Sequence, residues 1–165
     1  MTIDLGVPPD RAPRVVLDTS AVVTALVFGG GAPSALRQAW QRGRCRPMVC
    51  KATLLDLQDK LAHPRLGLSR GEQANLLGEF LPYAGKVRVP EADAGLGAGD
   101  PAALALARLA MAGRAHALVT GDGELLALRD RFACPVLTLD DFLAALDDLR
   151  LRRHAMRAPT STTAT

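Results

Sequence analysis

The sequence predicts an α/β protein with a mostly parallel central sheet covered on both faces. Two observations carry this. Short apolar, β-branched runs alternate with helix-patterned segments along the whole chain. The strand-like runs are apolar almost throughout, as expected of strands buried on both sides. Residues 14–17 (RVVL) read as the first strand, ended by Asp18. Residues 20–28 are apolar and helix-like, and Gly29-Gly30-Gly31 breaks them. Pro33 and Ser34 open a helix to Gln41, closed by Gly43. Residues 47–50 (PMVC) form the second strand. Thr53 caps a helix to Ala62, and His63-Pro64 ends it. A polar turn at Ser69 leads to a helix over 70–81, stopped by Pro82. Residues 87–90 (VRVP) are the third strand, and the acidic, Gly-rich stretch 91–99 is a loop. Asp100 at the N-cap and Pro101 at the first helical position start a helix to Met111, ended by Gly113. Residues 115–120 (AHALVT) are the fourth strand, followed by a short helix over 124–129. Residues 135–139 (PVLTL) are the last strand and 140–149 the last helix.

The chain has 165 residues and a mass of 17.4 kDa, the size of one domain. It is 48% apolar and 22% charged, enough apolar material for a core, which excludes a long disordered chain. No apolar run reaches the roughly 18 residues that span a bilayer. The formal net charge of +3 permits a nucleic-acid partner without demonstrating one. Lys occurs only at Lys51, Lys60 and Lys86, so 17 of the 20 basic residues are Arg. Arg suits phosphate, but a biased base composition explains an Ala-, Gly- and Arg-rich chain more simply. Cys45, Cys50 and Cys134 show no zinc spacing and read as thiols in a reducing cytoplasm. Residues 1–13 carry Asp4 and Asp10, lack an apolar core and read as a disordered lead-in, not a secretory signal. Residues 151–165 read as a disordered tail, which leaves 14–150 as the domain.

The acids fall in a pattern. Asp18 follows the first strand, and Asp56 lies on the helix after the second. Asp100 opens the helix after the third, and Asp122 and Glu124 follow the fourth. In parallel α/β sheets the ligand crevice lies beyond the carboxyl ends of the strands, so these carboxylates would converge. A carboxylate cluster is costly unless a hard divalent cation, Mg²⁺ or Mn²⁺, neutralises it. Such a site suits phosphodiester cleavage by a cation-activated water attacking in line. Each acid also has a structural explanation. Asp18, Asp100 and Asp122 are good helix caps, and Asp56 sits opposite the apolar stripe of Leu54, Leu57 and Leu61.

Residues 15–23 (VVLDTSAVV) resemble the opening of a PIN domain. Residues 118–126 (LVTGDGELL) resemble that family's T-G-D-x-[DE]-L-L element. Between them, 100–107 (DPAALALA) resembles its third acidic motif. Residues 54–57 (LLDL), with Leu61 and Pro64-Arg65-Leu66, resemble the second. The four motifs in order cover residues 14–146. The most similar subgroup is the VapC-like ribonucleases, the toxin components of bacterial and archaeal toxin–antitoxin pairs. The resemblance implies a three-layer α/β/α sandwich and a Mg²⁺- or Mn²⁺-dependent cytoplasmic endoribonuclease acting on RNA. It further implies a homodimer restrained by a small antitoxin protein. By the same resemblance Asp18, Asp56, Asp100 and Asp122 form the catalytic set, with Asp18, Asp100 and Asp122 on the metal. Asp56 stands where the family usually has Glu, one methylene longer. Glu124 occupies a second acidic position suited to a second metal. Ser20 stands where many members have Asn and orients the first Asp. Thr120 orders the site or holds a phosphate or water. His116 lies where relatives often have Asp and reads as a strand residue outside the catalytic set. Arg37 or Arg42 would guide the RNA backbone.

Other enzyme classes fit poorly. A haloacid-dehalogenase-type phosphatase needs a second Asp two residues after Asp18, where this chain has Ser20. No G-x-G-x-x-G supports dinucleotide binding, and no G-x-S-x-G supports a serine hydrolase. The basic stretch 150–157 (RLRRHAMR) reads as a solvated helix end. The alternative from a different class is a catalytically weak PIN-like module that binds RNA or protein. The shortened Asp56 and the variant Ser20 are what favour it.

Overall fold

Strand β1 (Arg14–Leu17) lies at the centre of a five-stranded sheet and pairs in parallel with β2 (Arg46–Val49) and β4 (Ala117–Val119). In this computed structural model, which describes residues 3–90 and 101–158, β3 (Gly85–Lys86) and β5 (Val136–Leu137) add to the two flanks. The order is β3-β2-β1-β4-β5, and every pairing is parallel. Side chains alternate across the strands, as a period of two requires. Val15, Leu17, Val49, Ala117, Val119 and Leu137 face one core. Val16, Met48, Leu118 and Val136 face the other. Helices α1 (Thr19–Val27), α2 (Gly31–Gln41), α3 (Lys51–Leu61) and α7 (Leu139–Arg157) supply the first core. Helices α5 (Pro101–Ala112) and α6 (Gly123–Ala127) supply the second. Helix α4 (Arg70–Gly78) lies at the rim and packs Leu76 and Leu77 on the first core. The result is the expected three-layer α/β/α sandwich. Among the described residues no single helix is long and apolar enough to cross a membrane.

Several boundaries differ from the sequence reading, each for a local reason. Helix α3 begins two residues before Thr53. Cys50 is its N-cap, and the Thr53 hydroxyl accepts from the Cys50 N–H at 3.0 Å. Strand β3 lies two residues earlier than expected and pairs with Met48 and Val49. Val87 adds one further N–H to Val49 O, and β2 has no more backbone to offer because α3 starts at Lys51. Helix α4 stops at Gly78, and a 3₁₀ turn at Leu81–Tyr83 holds Pro82, which lacks an N–H. Helix α7 continues to Arg157, beyond the end expected at 149, supported by an Asp148–Arg152 pair at 3.0 Å. The lead-in also differs from expectation. Leu5 is buried, Ile3 and Val7 pack on the first core, and Arg153 Nε donates to Pro9 O at 2.7 Å. Both Asp100 and the loop expected at 91–99 lie outside the described residues.

The sheet's N-terminal edge holds a pH-sensitive contact. His116 Nδ1 accepts the Arg14 N–H at 2.9 Å, which only an imidazole without a proton on that atom can do. Its pKa lies below the usual 6.5, first through burial and then through the Arg14 charge. The unfolded chain therefore takes up this proton before the folded one does. Stability is full above about 6.5, the unfolded value, and falls as pH drops below it. Thermal melts between pH 7.5 and 5.0 should show Tm falling in wild type and falling less in His116→Asn. Equal slopes in the two proteins would remove His116 from the explanation.

Candidate active site

The chain runs from β1 outward to β2 and β3, then returns to the other flank as β4. The topological switch point therefore lies between β1 and β4, where parallel sheets open a crevice. Two loops leave the sheet there. The register aligns Leu17 with Val119, so Asp18 comes beside Thr120, and Asp18 N–H donates to Val119 O at 2.8 Å. Asp18 caps α1: its Oδ1 accepts the Ser20 N–H at 3.2 Å. Its Oδ2 accepts from the Thr120 hydroxyl at 2.8 Å. Thr120 is fully buried, and its Oγ1 also accepts the Asp122 N–H at 3.0 Å. Asp122 in turn caps α6 by accepting the Glu124 N–H at 2.9 Å. One buried hydroxyl thus ties the two strand ends together. Asp18 and Asp122 line a single cleft of about 620 Å³, with Ser20, Thr24, Lys60 and Thr138 on its walls.

Asp56 takes a different place. It sits half-buried on α3, accepts from the Thr19 hydroxyl and forms an ion pair with Lys60 Nζ at 3.2 Å. It lines an adjoining hollow with Asp59, separated from the main cleft by Ala102 and Leu106, which line both. Lys60 Nζ also donates to Thr19 Oγ1 and to Ser20 Oγ, the latter at 3.1 Å, and lies 4.0 Å from Asp18 Oδ1. Glu124 is exposed and lies outside the cleft lining.

A family profile described as "PIN domain" matches residues 14–124. The chain belongs to the PIN domain family. Its fold is similar to one chain in the crystal structure of VapBC2 from Rickettsia felis bound to a DNA fragment from their promoter. The TM-score is 0.55 at 16% identity, covering 76% of this chain and 98% of that one. At that identity the likeness concerns the fold. No curated protein matches the chain by sequence.

The donor chemistry of this PIN domain suits a hard cation. Asp18, Asp122 and Ser20 offer oxygen and nothing softer. Mg²⁺ characteristically keeps several waters and takes one or two carboxylates, so two carboxylates at a switch point fit it. Among the described residues no three acidic, His or Cys side chains converge to hold an ion. Asp100, the third residue of the expected metal set, lies outside the described residues. Thr120 is a positioning residue: burial and its two protein partners leave it no contact with solvent. The sequence reading passed over Thr19 and Lys60. The signal for Lys60 was present as one of only three lysines, four residues after Asp56 and so one helical turn on. Neither Arg proposed as an RNA guide lines the cleft. Arg37 pairs with Glu79, and Arg42 lies in a hollow beside Ala12 and Arg46 at the opposite edge of the sheet. The thiols offer no nucleophile there. Cys45 is pushed up to about 12 by burial, and Cys134 is raised for the same reason.

Proposed function

We propose that this chain is a metal-dependent endoribonuclease and the toxin of a toxin–antitoxin pair. The observation that carries the reading is the meeting of Asp18 and Asp122, from adjacent strand ends of a PIN domain, in one cleft. Asp18 and Asp122, with Asp100, would hold Mg²⁺ or Mn²⁺. When bound, such an ion neutralises phosphate charge and lowers the pKa of water for attack at phosphorus. The protein's own contribution is placement. Thr120 and the Ser20 N–H fix both oxygens of Asp18, and the cap of α6 holds Asp122. The Lys60 ammonium at the cleft wall attracts the phosphate backbone toward an otherwise acidic mouth. Glu124 is exposed and outside the cleft lining, so this reading assigns it no ion. The fold likeness to VapBC2 supports a small antitoxin as partner, and the family resemblance supports a homodimer acting in the cytoplasm.

The test is direct. Purified protein with Mn²⁺ or Mg²⁺ is incubated with labelled single-stranded RNA, and internal cleavage is expected that EDTA abolishes. A second reading, a weakly catalytic module that binds RNA or protein, has one observation in its favour. Asp56 is engaged by Thr19 and Lys60 and does not line the cleft. RNA retained without any cleavage in either metal would favour that reading over the nuclease.

A further inference from the structure

Among the described residues Lys60 is the one cationic side chain in the lining of the cleft, and its surroundings are those of a bound cation. An ammonium has three N–H donors. Here Thr19 Oγ1, Ser20 Oγ and Asp56 Oδ2 accept from it or lie within ion-pair reach, and Asp18 Oδ1 stands 4.0 Å away. The arrangement closes on itself. The Thr19 hydroxyl accepts from Lys60 and donates to Asp56, and α3 holds Asp56 and Lys60 one turn apart. Two of the four surrounding oxygens are carboxylate and two are hydroxyl, a set that would also suit a hard divalent ion.

We infer that Lys60 is a built-in cation that fills the place of a second divalent ion between Asp56 and Asp18. The cleft then takes one ion, on the Asp18–Asp122 side. The inference rests on the nuclease reading for that first ion and goes beyond it in the ion count and the role of Asp56. A positive charge on a tethered side chain lowers the repulsion among Asp18, Asp56 and Asp122 without drawing on ions from solution. It also removes the attraction that would seat a second ion there. The Lys60 side chain is 35% exposed and Asp56 37%, so the pair adds little to stability. Its consequence lies in where charge is held. Asp56 is thereby a positioning residue for Lys60 and not a ligand, which accommodates its short side chain.

The experiment counts ions. Mn²⁺ binding to metal-free protein is measured by calorimetry, and the bound Mn²⁺ is examined by electron paramagnetic resonance. Wild type is expected to bind one Mn²⁺ per chain, with the spectrum of an isolated ion. Lys60→Met removes the charge and should bind two, with the signature of a coupled pair. Lys60→Arg keeps the charge and should return to one. Two ions in wild type, or one in Lys60→Met, would overturn the inference and leave the nuclease reading intact. No uptake by wild type would overturn both. The wild-type count needs no variant to fold, and circular dichroism establishes that each variant does.

Discussion

Asp18→Asn should abolish RNA cleavage while leaving a folded protein. The substitution keeps an oxygen that can accept the Ser20 N–H, so the cap on α1 survives. It loses the charge that faces the cleft and would hold the ion. Removing several kcal/mol of transition-state stabilisation lowers the rate by about a thousandfold. The structural cost is smaller. The Thr120 hydroxyl already accepts the Asp122 N–H, and in wild type it donates to a charged oxygen. With an amide opposite, that buried bond weakens or reverses, a loss of about 1 kcal/mol. The measurements are single-turnover cleavage of a labelled RNA in Mn²⁺ and a melting curve on the same preparation. Activity within tenfold of wild type would remove Asp18 from the reaction. A collapse of the melt together with activity would instead make Asp18 a folding residue whose catalytic part the substitution leaves unread.

The portions of this architecture that were legible share one property: their cause is local. Residues 15–17 and 117–119 are continuous apolar runs, and each is followed at once by a residue that caps a helix or prepares a cap. Burial on both faces and the strand-to-helix turn are therefore written in adjacent positions, which is why the placement of Asp18, Thr120 and Asp122 at neighbouring strand ends is legible. The roles of Lys60 and Thr19 are not legible there, because they arise only where α1 crosses α3, with the two residues 41 apart in the chain. A lysine one turn after an aspartate reads as an ordinary surface pair until a threonine and a second aspartate arrive from another element. The N-terminal segment failed in another way. Ile3, Leu5 and Val7 alternate with polar or small residues and pack toward the core on one side. The charges of Asp4 and Asp10 outweighed that short pattern. The end of α7 was misplaced because its last turns are polar. Arg152 and Arg153 find partners in Asp148 and in Pro9 O, which the composition of 150–157 does not reveal.

The second large effect concerns stability and lies away from the cleft. Trp40, the chain's single tryptophan, is 1% exposed on the inner face of α2 beside Leu36 and Ala39. Its ring meets Phe80 edge-on, with centroids 5.1 Å apart and planes at 68°, and its N–H donates to Glu79 O at 3.3 Å. Phe80 is equally buried, so the pair joins α2 to the segment that follows α4. Trp40→Ala empties this space and should cost about 3–5 kcal/mol, because the helix and the Phe80 backbone collapse only in part. Edge-to-face pairing adds about 1 kcal/mol beyond area alone. Against a usual total of about 5–15 kcal/mol, the loss is large. Urea denaturation followed by circular dichroism should show a midpoint lower by about 2 M, with the slope unchanged. Fluorescence serves for wild type only, since the substitution removes the reporter. Trp40→Phe keeps a ring against Phe80 but loses the N–H donor, and should fall between the two. Trp40 does not line the cleft, so cleavage per folded molecule should stay at the wild-type rate at low temperature. A large rate loss in fully folded Trp40→Phe would mean that the first core reaches the site through α1. In that case the arrangement of Asp18 would depend on packing from below as well as on Thr120.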